Sequence, residues 1–385
     1  MEGLLRSVVT DLAERHHVKV LAQRTDDGPW TPLHDSVETA PQFEPFLDGG
    51  ARVEQLRFSP ALRAALAPMR AAALPGLTRY AYSRPRRALA MYLAAVAGPT
   101  LRRQIGAADV VHMWGPDLLA YAAVHAAKRT RAVVAISPFA HRGQWGTDPA
   151  SAGAYRSADL VFPLLATEAE LYCELGAATS TIRVCGACSP GVPVADPLAL
   201  RARHGIGGPL VLFLGARRAY KGVDVLLDAV PLVAEERPDV TFAFVGPGPA
   251  LRDVGSGARV LDIGKVGDAE RASWLAAADL LCLPSQGEIL PISILEAWSA
   301  GTPVLTSDLD TLRELVDGSG GGMTAARNPR DVAAAVVTMV GDPGRLREMG
   351  RRGHARWSSS YTVPAVTSCF EQAYASARKE QERAT

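Results

Sequence analysis

Short apolar runs that end at glycine and hand over to helical periodicity constrain this chain more than any other feature. Pro209 to Leu214 is one such run, closed by Gly215, and Val240 to Val245 is another, closed by Gly246. Arg259 to Ile263, closed by Gly264, and Leu280 to Leu283 and Pro303 to Thr306, which no glycine closes, read as further strands. Helical spacing falls between them. It runs over Gly222 to Glu236, over Glu270 to Ala278, from near Pro291 to a stop at Ala300-Gly301, over Asp331 to Val340 and over Gly344 to Arg356. A strand that is apolar throughout, rather than alternating, is covered on both faces. Strands of that kind separated by helices predict an α/β fold with a doubly wound parallel sheet.

The first half carries the same rhythm more faintly. Leu4 to Glu14 reads as an amphipathic helix. Strands are expected at Val18 to Ala22, Val53 to Leu56, Val110 to Met113, Ala132 to Ile136, Leu160 to Pro163 and Ile182 to Val184. Gly186 to Gly208, rich in Gly, Pro and Ala, reads as a linker. The 385 residues, 48% hydrophobic, suffice for two ordinary domains. The reading is two Rossmann-like domains, 1–188 and 189–359, facing a central cleft between the carboxyl ends of both sheets, with a closing helical segment at 360–385.

A formal net charge of +1 argues against a nucleic-acid binder. Met1-Glu2-Gly3 opens directly onto an amphipathic helix pattern, so no signal peptide is expected, and no apolar stretch is long enough to span a bilayer. The five cysteines are few and scattered, as expected for a cytoplasmic protein with reduced thiols. Cys185 and Cys188 have C-x-x-C spacing but no answering metal-ligand pair, and read as small buried thiols at a strand end. Between Glu54 and Asp109 there are nine arginines, Arg84, Arg86 and Arg87 among them, and no acidic residue. Tyr80, Tyr82 and Tyr92 are interleaved. This 57–103 segment is either a solvated helical excursion or a basic surface for an anionic acceptor or peripheral membrane contact.

Two segments carry chemistry. Gly215-Ala216-Arg217-Arg218-Ala219-Tyr220-Lys221-Gly222 follows a strand and opens a helix. Gly215 permits the sharp turn, and the arginines and Lys221 suit a diphosphate, Arg as a bidentate fork and Lys as a point charge. The spacing is not that of a P-loop. In the second segment, Glu288 and Glu296 straddle Ile289, Leu290, Pro291 and Ile292 at a strand-to-helix junction. Pro is tolerated in a first helical turn, and the N–H groups of Ile292 to Ile294 are expected to face phosphate oxygens. Carboxylates beside such an anion site are tolerated if they hold hydroxyls, as of a sugar and a ribose joined by a diphosphate. Ser293 and Glu296 also fit a capping box, which competes with a ligand role for Glu296. Gly246-Pro247-Gly248 reads as a turn. His141 follows a strand end and is a site candidate; His112 reads as a satisfied core histidine, with a site role as the alternative.

Together these motifs resemble the retaining glycosyltransferases of family 4, with the GT-B fold, over nearly the whole chain and most strongly from Val211 to Val304. The family's E-x7-E motif stands at Glu288 and Glu296. Its G-R-x-x-x-x-K-G loop is matched at Gly215, Lys221 and Gly222, and its G-x-P-V tail at Gly301-Thr302-Pro303-Val304. The resemblance implies that Lys221 and a neighbouring arginine, Arg217 or Arg218, bind the donor diphosphate. It implies that Glu288 holds the transferred sugar, Glu296 the ribose, and Gly264-Lys265-Val266 the base edge. A histidine such as His141 would touch the donor sugar, and the last helix, Val363 to Lys379, would cross back onto the first domain. The chain departs from the pattern with Ala216 after the first glycine and with Leu290-Pro291 after the first glutamate. It also begins at the helix that in the family follows a strand and a Gly-rich loop. The true start is therefore expected upstream, which an intact mass beginning at Met1 would refute.

The expected function is retaining, metal-independent transfer of a hexose-type sugar from a UDP- or GDP-sugar to a small-molecule or lipid acceptor, with no cofactor. Metal independence is expected because no D-x-D stands where a metal–diphosphate clamp would, while Arg217, Arg218, Lys221 and the helix end supply positive potential. A nucleotide-sugar epimerase of the same fold and a catalytically silent nucleotide-sugar-binding protein are the alternatives.

Overall fold

Among the described residues the chain forms twelve strands, and six of them are buried along their whole length. A computed structural model describes residues 2–22, 44–66, 84–115, 118–140, 142, 146–193, 195–255 and 257–384. The strands are β1 (Lys19–Ala22), β2 (Phe46–Asp48), β3 (Ala51–Gln55), β4 (Val110–Trp114), β5 (Val133–Ser137), β6 (Leu160–Val161), β7 (Leu210–Leu214), β8 (Thr241–Val245), β9 (Arg259–Gly264), β10 (Leu280–Leu283), β11 (Val304–Ser307) and β12 (Gly322–Ala325). The chain divides into two units, Met1–Gly186 with Thr367–Thr385, and Ala187–Val366.

In the second unit the six strands lie in the order β12-β11-β10-β7-β8-β9 and are all parallel. Renumbered within the unit this is the 3-2-1-4-5-6 order of dinucleotide-binding folds. Strands β7, β8 and β10 are buried along their whole length, as their unbroken apolar sequence demands. The strand order reverses between β7 and β10, so the loops that leave these two strands diverge and open a crevice at their carboxyl ends. Helix Val223–Glu236 packs against helix Pro329–Val340; the first buries Leu226, Val230 and Val233, the second Val332 and Val336.

Among the described residues the first unit holds two three-stranded sheets, β1-β3-β2 and β4-β5-β6. Strands β2 and β3 form an antiparallel hairpin whose turn residues Gly49 and Gly50 have positive φ. The helix Arg84–Ile105 buries Ala90, Leu93, Ala97 and Leu101, one face at helical spacing, in a core shared with Leu118, Ala122 and Val124 of helix Leu118–Ala127. Tyr92 lies at its surface and donates to the Ala65 carbonyl. Tyr80 and Tyr82 fall outside the described residues, as does His141. Among the described residues no helix is long and apolar enough to cross a membrane.

The last helix, Val363–Ala384, joins the first unit from Thr367 onward. Thr367 donates to Asp11, Glu371 pairs with Arg15 and His16, and Tyr374 meets His112. His112 is half-buried, with both ring nitrogens partnered. Its ring lies between the Tyr374 and Ser137 hydroxyls and against Trp114, Phe162 and Phe370, and burial drives its pKa down to about 3.

Three expectations are corrected. The 186–208 stretch is not a bare linker: Asp196 caps a helix, Pro197–Arg203, led by proline. Ile182 to Val184 is not a strand; Ile182 makes one isolated bridge to Val161. The cysteines are not all free, since Cys185 is bonded to Cys369 of the last helix, 184 residues away, while Cys188 remains a buried thiol.

Candidate functional site

The loops after β7 and β10 lie side by side in the second unit and are stitched together. Gln286 N–H donates to the Tyr220 carbonyl at 2.7 Å. Arg327 donates through Nε to the Pro284 carbonyl at 3.0 Å and through Nη2 to the Ala219 carbonyl at 3.1 Å. Gly222 sits at φ 79°, and a Cβ there would lie 2.0 Å from the Pro284 carbonyl oxygen, so only glycine permits this approach. The ends of β7 and β8 meet as closely: a Cβ on Gly246 would come within 2.0 Å of the Gly215 carbonyl oxygen. Gly246 N–H in turn donates to the Gly264 carbonyl at 2.7 Å.

This stitching joins the two chemical segments. Lys221 Nζ lies 2.5 Å from Glu288 Oε1, with both side chains mostly buried. The Glu288 carbonyl is held by the Thr311 hydroxyl at 2.8 Å, which fixes the loop that carries it. Ile289, Leu290 and Pro291 are buried and Ile292 half-buried. Pro291 is the N-cap of helix Ile292–Ser299, and no side chain caps that end. Ile294 N–H already donates to the Pro291 carbonyl, so the positive end presents the N–H groups of Ile292 and Ser293 rather than all three expected. Because the cap lies at Pro291, Ser293 and Glu296 do not form a capping box. Glu296 is free of that role, one turn into the helix and 12% exposed.

Burial raises the pKa of Glu296, the Arg271 guanidinium lowers it, and Asp268 raises it, with burial the largest effect. Arg271, on helix Asp268–Ala277, pairs with Glu296 Oε1 at 2.9 Å. Neither Arg271 nor Arg327 was singled out by sequence. Both sit on helix or loop surfaces where arginine is unremarkable, and only the fold reveals their partners.

The two loop arginines separate sharply. Arg217 is buried and turned beneath the loop, where it donates to the carbonyls of Pro249 and Phe244 and pairs with Asp262 of β9. Reaching a diphosphate would require it to abandon all three partners, so the role expected of it does not fit its place. Arg218 is exposed at the same loop. Gly264 has φ 76°, Lys265 is exposed and Val266 half-buried, at the end of β9 on the same edge of the sheet.

The family description "Glycosyl transferases group 1" matches residues 208–342, which hold every one of these site residues but His141. A phosphatidyl-myo-inositol mannosyltransferase of Mycobacterium tuberculosis is 39% identical over 136 residues, 34% of this chain and 36% of that protein. A glycogen synthase of the same organism is 30% identical over 187 residues, 46% of this chain and 45% of that protein. The aligned stretches thus span less than half of either relative. The crystal structure of Anabaena HepE in complex with UDP superposes with a TM-score of 0.69 at 18% identity, covering 97% of this chain and 96% of that one. Residues 208–342, which carry the β7–β12 sheet, thus match the glycosyl transferases group 1 family, and the fold of the chain is similar to that of the HepE structure.

Proposed function

We propose that the chain transfers a hexose-type sugar, with retention and without a metal, from a UDP- or GDP-sugar to a small-molecule or lipid acceptor. One observation carries this reading: the Lys221–Glu288 pair sits where the strand order reverses, beside an uncapped helix end and an exposed arginine. An ammonium has three donors, so Lys221 can keep Glu288 in place and still bond a phosphate oxygen. Arg218, Lys221 and the N–H groups of Ile292 and Ser293 stabilise charge growing on the departing diphosphate. Such pre-aimed donors contribute on the order of several kcal/mol. Glu288 accepts from hydroxyls of the transferred sugar, and Glu296 accepts from the ribose. Gly264 to Val266 border the base. His141 keeps the sugar-contacting role that the family resemblance gives it.

The similarity to a phosphatidyl-myo-inositol mannosyltransferase supports a lipid acceptor, in which case the 57–103 segment would meet an anionic membrane surface from the cytoplasmic side. Incubation with UDP- and GDP-sugars tests the reading. Free nucleoside diphosphate is expected only when an acceptor is added, and in EDTA as well as without it. The product's anomeric configuration, read by NMR, should match the donor's. Acceptor-independent turnover into an epimeric nucleotide sugar, or binding with no turnover for any acceptor, would overturn it.

A further inference from the structure

The buried Glu296 carboxylate has one ionic partner among the described residues, and it is not on the same element. Arg271 reaches across from helix Asp268–Ala277 to Oε1 at 2.9 Å, and its other nitrogen, Nη2, lies 3.3 Å from Asp268 Oδ1. Asp268 is 88% exposed and well hydrated, so it competes weakly for the guanidinium, while Glu296 is 12% exposed and has lost most of its water. A carboxylate in that position is costly to keep charged unless a cation stands against it. The pairing uses Oε1 and leaves Oε2 for an outside donor. The helix that carries Arg271 follows Gly264 to Val266 in the chain, with Gly267 as its N-cap, so one short segment bears both the expected base edge and the partner of the second glutamate.

We propose that Arg271 is a positioning residue for nucleoside recognition: it holds the Glu296 carboxylate charged and turned so that Oε2 accepts from the vicinal hydroxyls of the donor's ribose. The inference rests on the assignment of Glu296 to the ribose made above. It goes beyond that assignment by giving a second residue, on a different helix, control over how strongly those hydroxyls are read. A charged acceptor makes a stronger hydrogen bond than a neutral one, about twice as strong. Without Arg271 the carboxylate takes up a proton more readily and loses its fixed rotamer, and the preference for a ribose over a deoxygenated sugar fades.

The test compares binding of UDP with 2′,3′-dideoxy-UDP, and of GDP with 2′,3′-dideoxy-GDP, by isothermal titration to the full chain. The wild type is expected to bind the hydroxylated form roughly 10- to 100-fold more tightly. Glu296→Gln and Arg271→Met should each cut that preference to roughly 3-fold or less, and Arg271→Lys should restore most of it. A merely structural role would weaken both ligands of a pair equally and leave their ratio intact. If Arg271→Met keeps the full ratio while Glu296→Gln loses it, the inference fails and the ribose assignment stands. If the wild type shows no ratio, or Glu296→Gln retains it, the ribose assignment fails and takes the inference with it. Should Arg271→Met not fold, Arg271→Gln carries the same comparison, and a folded neutral variant with the full ratio overturns the proposal.

Discussion

Adjacent arginines in one loop should fail in opposite ways. Arg217 has a side chain 3% exposed and donates to Pro249, Phe244 and Asp262. Removing one partner of a buried ion pair costs about 3–5 kcal/mol. Asp262 is 39% exposed, so water can rehydrate much of the orphaned carboxylate, which brings the expected loss to about 2–4 kcal/mol. For a unit of this size each kcal/mol is worth about 2–4 °C. Arg217→Ala should therefore lower the melting temperature of the second unit by roughly 5–15 °C. Arg218→Ala removes an exposed side chain and should leave stability within about 0.5 kcal/mol. It should weaken nucleoside diphosphate binding by roughly 10- to 100-fold, the worth of one charge-assisted contact. Differential scanning calorimetry and isothermal titration on both variants read the two effects separately. An Arg217→Ala protein with unchanged melting and lost affinity, or an Arg218→Ala protein with full affinity, would refute the assignment.

Glu288→Ala should reduce kcat/KM by about 10- to 100-fold while free nucleoside diphosphate still binds, because the role proposed for the carboxylate is toward the sugar and not the diphosphate. Equal loss of both in steady-state kinetics and titration would count against that. Gly246→Ala places a Cβ 2.0 Å from the Gly215 oxygen at a backbone of φ 138°, and should destabilise the second unit by about 2 kcal/mol or more, as read by urea denaturation; an unchanged midpoint would show that the two loops are not in contact. The depressed pKa of His112, about 3, means that the folded first unit holds fewer protons there than the unfolded chain does. Its contribution is present above pH of about 6.5 and is lost as pH falls towards 3, on the order of a few kcal/mol. Acid unfolding followed by fluorescence should be less steep for His112→Asn, and identical slopes would be the contrary result.

Much of the second unit was legible because β7, β8, β10 and β11 are buried on both faces, and β7 and β8 run into the glycines Gly215 and Gly246. The β7, β8 and β10 runs are apolar without interruption, so neither their type nor their order of burial depended on context. β12 escaped because Gly322-Met323-Thr324-Ala325 is a half-buried edge with no apolar signature, and β2 because Phe46 and Leu47 are largely exposed. The helix Pro197–Arg203 was hidden in a stretch whose Gly and Pro content reads as coil, though Asp196 and Pro197 are a start signal. Glu288, Lys221 and Glu296 were singled out by residue type and spacing, and the fold brings Lys221 and Glu288 together. Arg217 and Arg218 could not be told apart, because that depends on Asp262, 45 residues on and two strands over. The bond between Cys185 and Cys369 is equally invisible in sequence, where Cys188 offers the nearer partner.

That bond has a topological consequence. The chain passes from the first unit to the second after Gly186 and returns before Thr367, so Cys185 and Cys369 sit beside the outgoing and incoming crossings. The second unit is thus a closed ring of polypeptide tied at its neck. By the chain-entropy account, closing a ring of 184 residues removes about 5 kcal/mol of freedom from its unfolded form. A protease that nicks the ring anywhere severs the backbone without parting the molecule: both pieces stay on one covalent knot until a reductant opens it.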